Sequence, residues 1–264
     1  PRSGTPPLSY HTLNTGPTAD DILMKIHPLT LAPLLFAMAS CQAPSQAAPP
    51  PATILFVGNS FTFWNGGLWK HMQGLSAAHG EGTGAETSRV VRGGASLKVL
   101  WKRTKARDTI ADGKFDVIVL QEDLPETTVA DFHTYAAKFH ALAHEAGSRL
   151  IFFMAWDYER LDWMSMEEIA AEHRKMAETL GAEVAPCGLA WQRAKAERPQ
   201  IDMYDQDREH PSAHGTYLTL LVIYSTIYGE SAVDLDLALP DEFQITPEND
   251  AWLRRVAWET VQAW

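Results

Sequence analysis

The chain has little cysteine and an excess of negative over positive charge. Cys41 and Cys187 are its only cysteines, and they form no Cys-x-x-Cys pair of the kind that holds zinc. Lys and Arg number 22 against 33 Asp and Glu, for a net charge of -11, which disfavours nucleic acid as a partner. His133, His140 and His144 fall in a polar helical stretch, where solvated histidines are the usual interpretation. We therefore expect no metal site and no nucleic-acid partner.

The composition is that of an ordinary globular chain. Of its 264 residues, 45% are apolar and 21% are charged. Once the N-terminal segments are set aside, the remainder has the size of one compact domain and leaves no room for a second catalytic domain. We expect that domain to cover residues 53–264.

Residues 24–41 resemble a bacterial export signal. Met24 and Lys25 precede a short apolar stretch, residues 29–37, that is too short to span a bilayer as a stable helix. Small residues then lead into Cys41, as in a lipoprotein signal. The resemblance implies that Cys41 is lipidated and becomes the mature N-terminus. A plain cleaved signal and an N-terminal core helix are the alternatives.

The segments on either side of this signal are not expected to fold. Residues 1–23, rich in Pro, Thr and Gly, resemble translated upstream sequence or a disordered tail. Residues 42–52, rich in Pro and Ala, indicate a tether. Gln42 is not the aspartate that retains many lipoproteins in the inner membrane, so the resemblance implies an exported protein of the periplasm or outer membrane. Oligomeric state has no signature in the sequence.

From residue 53 onward, short β-rich runs alternate with amphipathic stretches of helical period. This alternation is typical of parallel strands joined by crossover helices. Apolar runs such as residues 117–120 indicate strands that are buried on both faces. We predict an α/β fold, a three-layer α/β/α sandwich around a parallel sheet of about five strands. Strands are predicted at 53–57, 87–91, 116–120, 150–155 and 183–185, and helices at 68–78, 97–105, 129–145, 166–180, 188–197, around 217–224 and from 247 onward.

Polar or glycine-rich segments follow the first four predicted strands. They are Asn59-Ser60, Gly93-Gly94, Gln121-Glu122-Asp123 and Trp156-Asp157. Because functional groups collect at the carboxyl ends of parallel strands, we expect all four segments at one edge of the sheet.

Ser60 is the candidate nucleophile. A serine at a strand-to-helix turn exposes its Oγ, and its own N–H lies at a helix N-terminus that favours negative charge. The alternative is that Asn59 and Ser60 only cap a helix. Far downstream, Asp207 and His210 supply an acid three residues before an imidazole. In that arrangement Asp207 can orient the ring and leave its other nitrogen free to take the serine proton.

These segments resemble the sequence blocks of the SGNH or GDSL hydrolase superfamily. Gly58-Asn59-Ser60-Phe61 is similar to the first block, with Asn59 where Asp is usual. The segment from Asp207 through His210, Pro211 and Ser212, with Gly215, is similar to the last block. Gly93-Gly94 is similar to the second, whose glycine offers an N–H to the oxyanion. The resemblance implies a flavodoxin-like α/β/α fold and a serine esterase, lipase or carbohydrate acetylesterase that needs no cofactor.

The third block departs from this pattern. The family has Gly-x-Asn-Asp, whose Asn side chain is the third oxyanion donor, whereas this chain has Leu120-Gln121-Glu122-Asp123. We expect the oxyanion to be bound by Ser60 and Gly94, with Gln121 replacing the missing amide. Glu122 and Asp123 are interpreted as loop charges that face solvent.

Two tryptophans next to predicted strand ends, Trp64 and Trp156, are candidates for the wall of a substrate pocket. Aromatic side chains nevertheless more often belong to the core.

The predicted reaction is the hydrolysis of short-chain carboxylic esters, including acetylated carbohydrates, through an acyl-enzyme. Two alternatives remain open, an acyltransferase that uses the same site and a surface lipoprotein that binds glycans without catalysis.

Overall fold

The centre of the protein is a five-stranded sheet. The computed structural model describes residues 49–80, 82, 84–236 and 243–264. Within them the strands are β1 (Thr53–Gly58), β2 (Glu86–Val91), β3 (Val117–Gln121), β4 (Arg149–Phe153) and β5 (Glu183–Ala185). They lie side by side in the order β2-β1-β3-β4-β5, and every neighbouring pair is parallel.

Helices connect the strands and cover both faces of the sheet. A short 3-10 turn, Leu124–Glu126, follows β3. The α-helices of the described residues are α1 (Ser60–Phe63), α2 (Leu68–Ala78), α3 (Leu97–Arg103), α4 (Ala106–Asp112), α5 (Val129–Glu145), α6 (Met166–Leu180), α7 (Cys187–Glu197), α8 (Ala213–Tyr228) and α9 (Pro247–Ala263).

Alternate residues of the central strands pack into two separate hydrophobic cores, one on each face of the sheet. In β1, Ile54 and Phe56 pack with α2, α7, α8 and α9, whereas Leu55 and Val57 pack with α3, α4, α5 and α6. Because successive side chains of a strand point to opposite faces, a strand that is apolar throughout is buried on both sides. The predicted three-layer α/β/α sandwich with a parallel five-stranded sheet is confirmed.

The structure differs from the predicted elements around residue 104. A single helix over residues 97–105 was expected, but α3 ends at Arg103 and a second helix, α4, begins at Ala106. The backbone of Thr104 is extended, and its hydroxyl donates to the Leu100 carbonyl and accepts from the Ala106 N–H. This side chain replaces the helical hydrogen bonds at the break and turns the chain.

The sheet order creates a switch point between β1 and β3. The chain passes from β1 to β2 on one side and then crosses to β3 on the other side of β1. Helices that leave neighbouring strands in opposite directions open a crevice at the carboxyl ends of those strands. Ser60 follows β1 and Glu122 follows β3, so both lie at this crevice.

Helix α8 is held close to the segment that carries Asp207 and His210. Gly215 lies in its first turn, where an added Cβ would stand 2.2 Å from the Met203 carbonyl oxygen and 2.6 Å from the Trp191 ring. The Ser212 N–H also donates to the Met203 carbonyl at 2.9 Å. A side chain at position 215 would therefore push the helix away from this segment.

The predictions for residues 1–23, for the signal at 24–41 with its lipidated Cys41, and for most of the tether at 42–52 lie outside the described residues. Among the helices that the structure does describe, none combines the length and the apolar character that a bilayer crossing requires.

Candidate active site

Ser60 occupies the first position of α1, directly after the end of β1. The preceding residue, Asn59, caps the helix, because its side-chain oxygen accepts from the Phe61 N–H at 3.0 Å. The capping interpretation therefore applies to Asn59 and leaves the Ser60 hydroxyl available. Gly58 is required just before, since an added Cβ would lie 2.1 Å from the Thr62 hydroxyl oxygen.

The loop before α8 positions Asp207 and His210. One carboxylate oxygen of Asp207 accepts from the backbone N–H groups of Glu209 and His210, at 3.1 and 2.9 Å. Arg208, which directly follows Asp207, has a left-handed backbone with φ of 60°. This conformation tightens the turn. The Asp205 N–H closes the loop by donating to the His210 carbonyl at 2.7 Å.

Ser60, His210 and Asp207 lie in contact. The Ser60 Oγ is 2.8 Å from His210 Nε2, and His210 Nδ1 is 2.6 Å from the second oxygen of Asp207. Burial alone would raise the pKa of Asp207, but the hydrogen bonds from the His210 N–H and ring and from the Glu209 N–H hold it below its ordinary value. An ionised Asp207 accepts from Nδ1–H, so Nε2 is the ring nitrogen left to accept from the serine hydroxyl.

Trp64 packs flat against the His210 ring. The two ring centres are 3.9 Å apart and the planes differ by 18°. The indole N–H of Trp64 also donates to Asp205 at 3.3 Å, and the Phe61 ring contacts the imidazole in a T-shaped arrangement. The imidazole is thus fixed by aromatic contacts as well as by its hydrogen bonds. The structure brings Trp64 to the site, where its ring covers the histidine, and its role as a wall of a substrate pocket stays a prediction.

The Gly93-Gly94 segment lies beside the end of β1. The Arg92 N–H donates to the Gly58 carbonyl at 3.1 Å, which brings the end of β2 next to the start of α1. Gly94 is exposed, and its φ of 60° is a conformation that glycine adopts without strain. Its role as an oxyanion donor stays a prediction.

Several solved structures share this arrangement of strands and helices. A protein of Slackia heliotrinireducens assigned to the SGNH hydrolases is 26% identical, with 66% of this chain and 98% of that chain covered and a TM-score of 0.56. A DUF4886 family protein of Bacteroides uniformis is 16% identical, with 80% and 94% covered and a TM-score of 0.61. This chain has the SGNH-hydrolase fold.

The likeness to these structures is seen in the fold and not in comparisons of sequence. No family model and no curated protein matches the chain. A further solved structure with this fold is an acetyl-xylooligosaccharide esterase of Geobacillus, which is 17% identical, with 69% of this chain and 96% of that chain covered and a TM-score of 0.56.

Gln121 does not supply the side-chain oxyanion donor of the SGNH pattern. The residue is fully buried. Its side-chain oxygen accepts from the Asn59 N–H at 2.7 Å, and its NH₂ group donates to the Glu122 carbonyl at 2.8 Å. The Asn59 N–H can only donate, so the orientation of the Gln121 amide is fixed. The prediction for Gln121 was wrong, because the side chain points into the protein and braces the turn that carries Ser60.

Trp156 does not line a substrate pocket. It is fully buried and stacks on Trp191 with ring centres 3.5 Å apart. Its indole N–H donates to the Glu209 carbonyl at 2.9 Å. The prediction for Trp156 was therefore wrong, although the residue supports the site by anchoring the backbone next to His210.

Asp123 belongs to a buried hydrogen-bond network that sequence reasoning missed. One carboxylate oxygen accepts from the Asn59 side-chain NH₂ at 2.9 Å, and the other accepts from the Tyr158 hydroxyl. Burial raises the pKa of Asp123 to about 6. The interpretation of Asp123 as a solvent-facing loop charge is wrong, since the side chain holds the helix cap beside Ser60. Its position directly after a buried strand was the only signal for this role.

Glu122 is also buried, and it braces the start of α3. Its carboxylate accepts from the Leu97 N–H at 3.2 Å and from the Asp123 N–H at 2.8 Å. Leu97 lies three residues after Gly94, so Glu122 ties the glycine segment to the end of β3. Burial raises the pKa of Glu122 to about 8. Its interpretation as a solvent-facing charge is likewise wrong.

The described residues contain no group of three or more His, Cys, Asp or Glu side chains arranged to hold a metal ion.

Two histidines of α5 lie one turn apart. The rings of His140 and His144 stack with their centres 6.5 Å apart. Burial is the main cause that lowers the pKa of His140, and the neighbouring His144 lowers it further.

We expect Glu122→Gln to make stability less dependent on pH. The ordinary pKa of 4.5 applies in the unfolded chain, and the folded value is about 8. Folding therefore favours the protonated carboxyl, and the stability that it contributes is lost as the pH rises from about 4.5 to about 8. Urea unfolding should show the variant more stable than wild type at pH 8, with a smaller difference at pH 5.

Glu178→Gln, the same change at an exposed position of α6, is the matched control and should shift stability equally at both pH values. An equal shift for Glu122→Gln as well would contradict the burial argument.

Proposed function

We propose that the protein is a serine hydrolase that cleaves carboxylic esters through an acyl-enzyme. The single observation that carries the proposal is the contact series from Asp207 through His210 to Ser60, with distances of 2.6 and 2.8 Å. A serine hydroxyl becomes nucleophilic at neutral pH only when a base within hydrogen-bond reach accepts its proton. The position of this series at the carboxyl edge of a parallel sheet supports the proposal, since sites of α/β proteins form at such edges.

In the proposed reaction the Ser60 Oγ attacks the ester carbonyl while His210 Nε2 takes the hydroxyl proton. Asp207 holds the imidazolium through Nδ1–H. Collapse of the tetrahedral intermediate breaks the bond to the leaving alcohol, which receives the proton from His210. Water, deprotonated by His210 in turn, then attacks the acyl-enzyme and releases the acid, and the proton returns to Ser60.

The oxyanion in this proposal is held by the backbone N–H groups of Ser60 and Gly94. Gln121 and Asn59 do not add to them, because their side-chain NH₂ groups donate to the Glu122 carbonyl and to Asp123. Loss of one oxyanion donor costs about 2.7–4 kcal/mol in the transition state. We therefore expect slower catalysis than in an SGNH site with three donors.

In this proposal Trp64 contributes to catalysis by stabilising the charged form of His210. A cation over the face of an indole is stabilised by about 0.5–2 kcal/mol, and the stacked ring lies 3.9 Å from the imidazole centre. The imidazolium exists only after proton transfer from Ser60. The contact thus favours the transition state over the resting enzyme.

The substrates we propose are esters of short acyl groups, with acetylated carbohydrates as the preferred class. The net charge of -11 disfavours anionic substrates. One of the solved structures with this fold is named as an acetyl-xylooligosaccharide esterase. An aryl ester such as p-nitrophenyl acetate would report on the site whatever the natural alcohol is.

Ser60→Ala should lower kcat on p-nitrophenyl acetate by on the order of a thousandfold or more, because the nucleophile is gone. A fluorophosphonate probe should label wild type at Ser60 and leave the variant unlabelled. Ser231→Ala is the control, since Ser231 lies beyond the far end of α8, roughly 24 Å of helix away from His210.

A Ser60→Ala variant that retains the parent rate would remove Ser60 from the mechanism. Folded wild type that neither reacts with the probe nor hydrolyses the ester would support a glycan-binding protein. Faster acetyl release on adding a saccharide acceptor would support an acyltransferase instead.

Trp64→Leu should lower kcat about tenfold with little change in KM, since the ring that stabilises the imidazolium is lost. Trp64→Phe keeps an aromatic face, loses the hydrogen bond to Asp205, and should stay within a few-fold of wild type. Steady-state kinetics on p-nitrophenyl acetate measures both. A raised KM at unchanged kcat in both variants would instead make Trp64 a wall of the substrate pocket.

A further inference from the structure

Trp163 exposes an unusual amount of apolar surface. Its side chain is 66% exposed, whereas the other large hydrophobic side chains of the described residues are buried or half-buried except for Val233. The ring is nevertheless fixed, because its indole N–H donates to the Pro125 carbonyl at 2.6 Å. A tryptophan whose polar atom is engaged and whose face stays open is a preformed stacking surface.

This ring forms one wall of a cleft of about 700 Å³. The other walls come from the segment after β3, from the start of α3, and from the first turns of α5 and α6. The lining includes Ser96, Leu124, Thr128, Asp131 and Glu168. A cleft of this volume holds a ligand of several rings.

The cleft is lined by residues next to the segments that build the active site. Ser96 lies two residues after Gly94, and Leu124 directly follows Asp123, which binds the side chain of Asn59. The lining residue Glu126 forms an ion pair with Arg160. Arg160 also pairs with Glu209, the neighbour of His210. The cleft and Ser60 therefore both lie after the carboxyl ends of the parallel strands, at one edge of the sheet.

The charges of the cleft select among possible occupants. The acidic residues of its lining are Glu126, Asp131 and Glu168, and the lining contains no Lys or Arg. Lys98 and Arg160 pair with two of them, and Ser165 binds the third. Phosphate groups and anionic membrane surfaces are disfavoured by such a lining, since both are bound by clustered Lys and Arg. Neutral sugars fit it, because their C–H faces stack on an indole and their hydroxyls donate to carboxylates.

We propose that this cleft is a binding subsite for neutral oligosaccharides, in which Trp163 stacks on a sugar ring of a chain whose acyl group lies at Ser60. The proposal rests on the proposed function and names its substrate class as acylated oligosaccharides rather than isolated small esters. Trp163 acts here by binding a distant part of the substrate and takes no part in the chemistry.

The test compares Trp163→Ala and Trp163→Phe with Val233→Ala, the control at the other exposed large hydrophobic residue. On acetylated xylo-, manno- and cello-oligosaccharides, Trp163→Ala should lower kcat/KM about tenfold, mainly through KM, because one aromatic stacking contact is lost. Trp163→Phe should keep most of the activity, and Val233→Ala all of it. On p-nitrophenyl acetate, which carries no sugar ring to stack on Trp163, all three variants should equal wild type.

A second measurement does not depend on catalysis. Calorimetric titration of the deacetylated oligosaccharides should detect binding to wild type, and weaker binding or none to Trp163→Ala. An enzyme inactive on every ester would overturn the proposed function, but loss of saccharide binding in Trp163→Ala would still support the subsite. Unchanged kcat/KM and unchanged binding in that variant would overturn the subsite, and so would wild type that binds none of the three saccharides.

Discussion

The hydrogen bond between Ser60 and His210 joins residues that are 150 positions apart in the chain, and the rest of the site depends on it. A parallel sheet makes the contact possible, since it delivers the ends of β1 and β3 to one edge. The approach of α8, which Gly215 permits, brings the histidine loop to the same edge. Each segment separately is an ordinary turn or cap, and only their convergence creates a base beside a hydroxyl.

Buried polar side chains give this edge its rigidity. Gln121, Glu122 and Asp123 follow one another along the chain, and each binds a backbone or side-chain group of a neighbouring segment of the site. Burial of two carboxyls costs free energy, as the raised pKa values of Glu122 and Asp123 show. In return, the Ser60 turn and the start of α3 are held in fixed positions, which a reaction that depends on distances near 3 Å requires.

The sequence was sufficient to predict the layers of the fold, because strands, helices and turns have local signals. It also singled out Ser60, Asp207 and His210, which the structure brings into contact. The positions of Gln121 and Trp156 could not be predicted in the same way. Both lie at the expected edge, but whether a side chain there points toward the crevice or into the core is decided by tertiary partners, Asn59 for Gln121 and Trp191 for Trp156. The break at Thr104 depends on a side-chain hydrogen bond that helical periodicity does not reveal.

The most direct test of this account is the kcat of Asp207→Asn on a short aryl ester. An amide at this position can present its NH₂ group to Nδ1, which would place the proton on Nε2, the nitrogen that must accept from Ser60. We expect kcat to fall about a hundredfold or more with the fold intact, while Asp234→Asn, the same charge change beyond the end of α8, has little effect. A folded Asp207→Asn protein that retains the kcat of wild type would contradict the assignment.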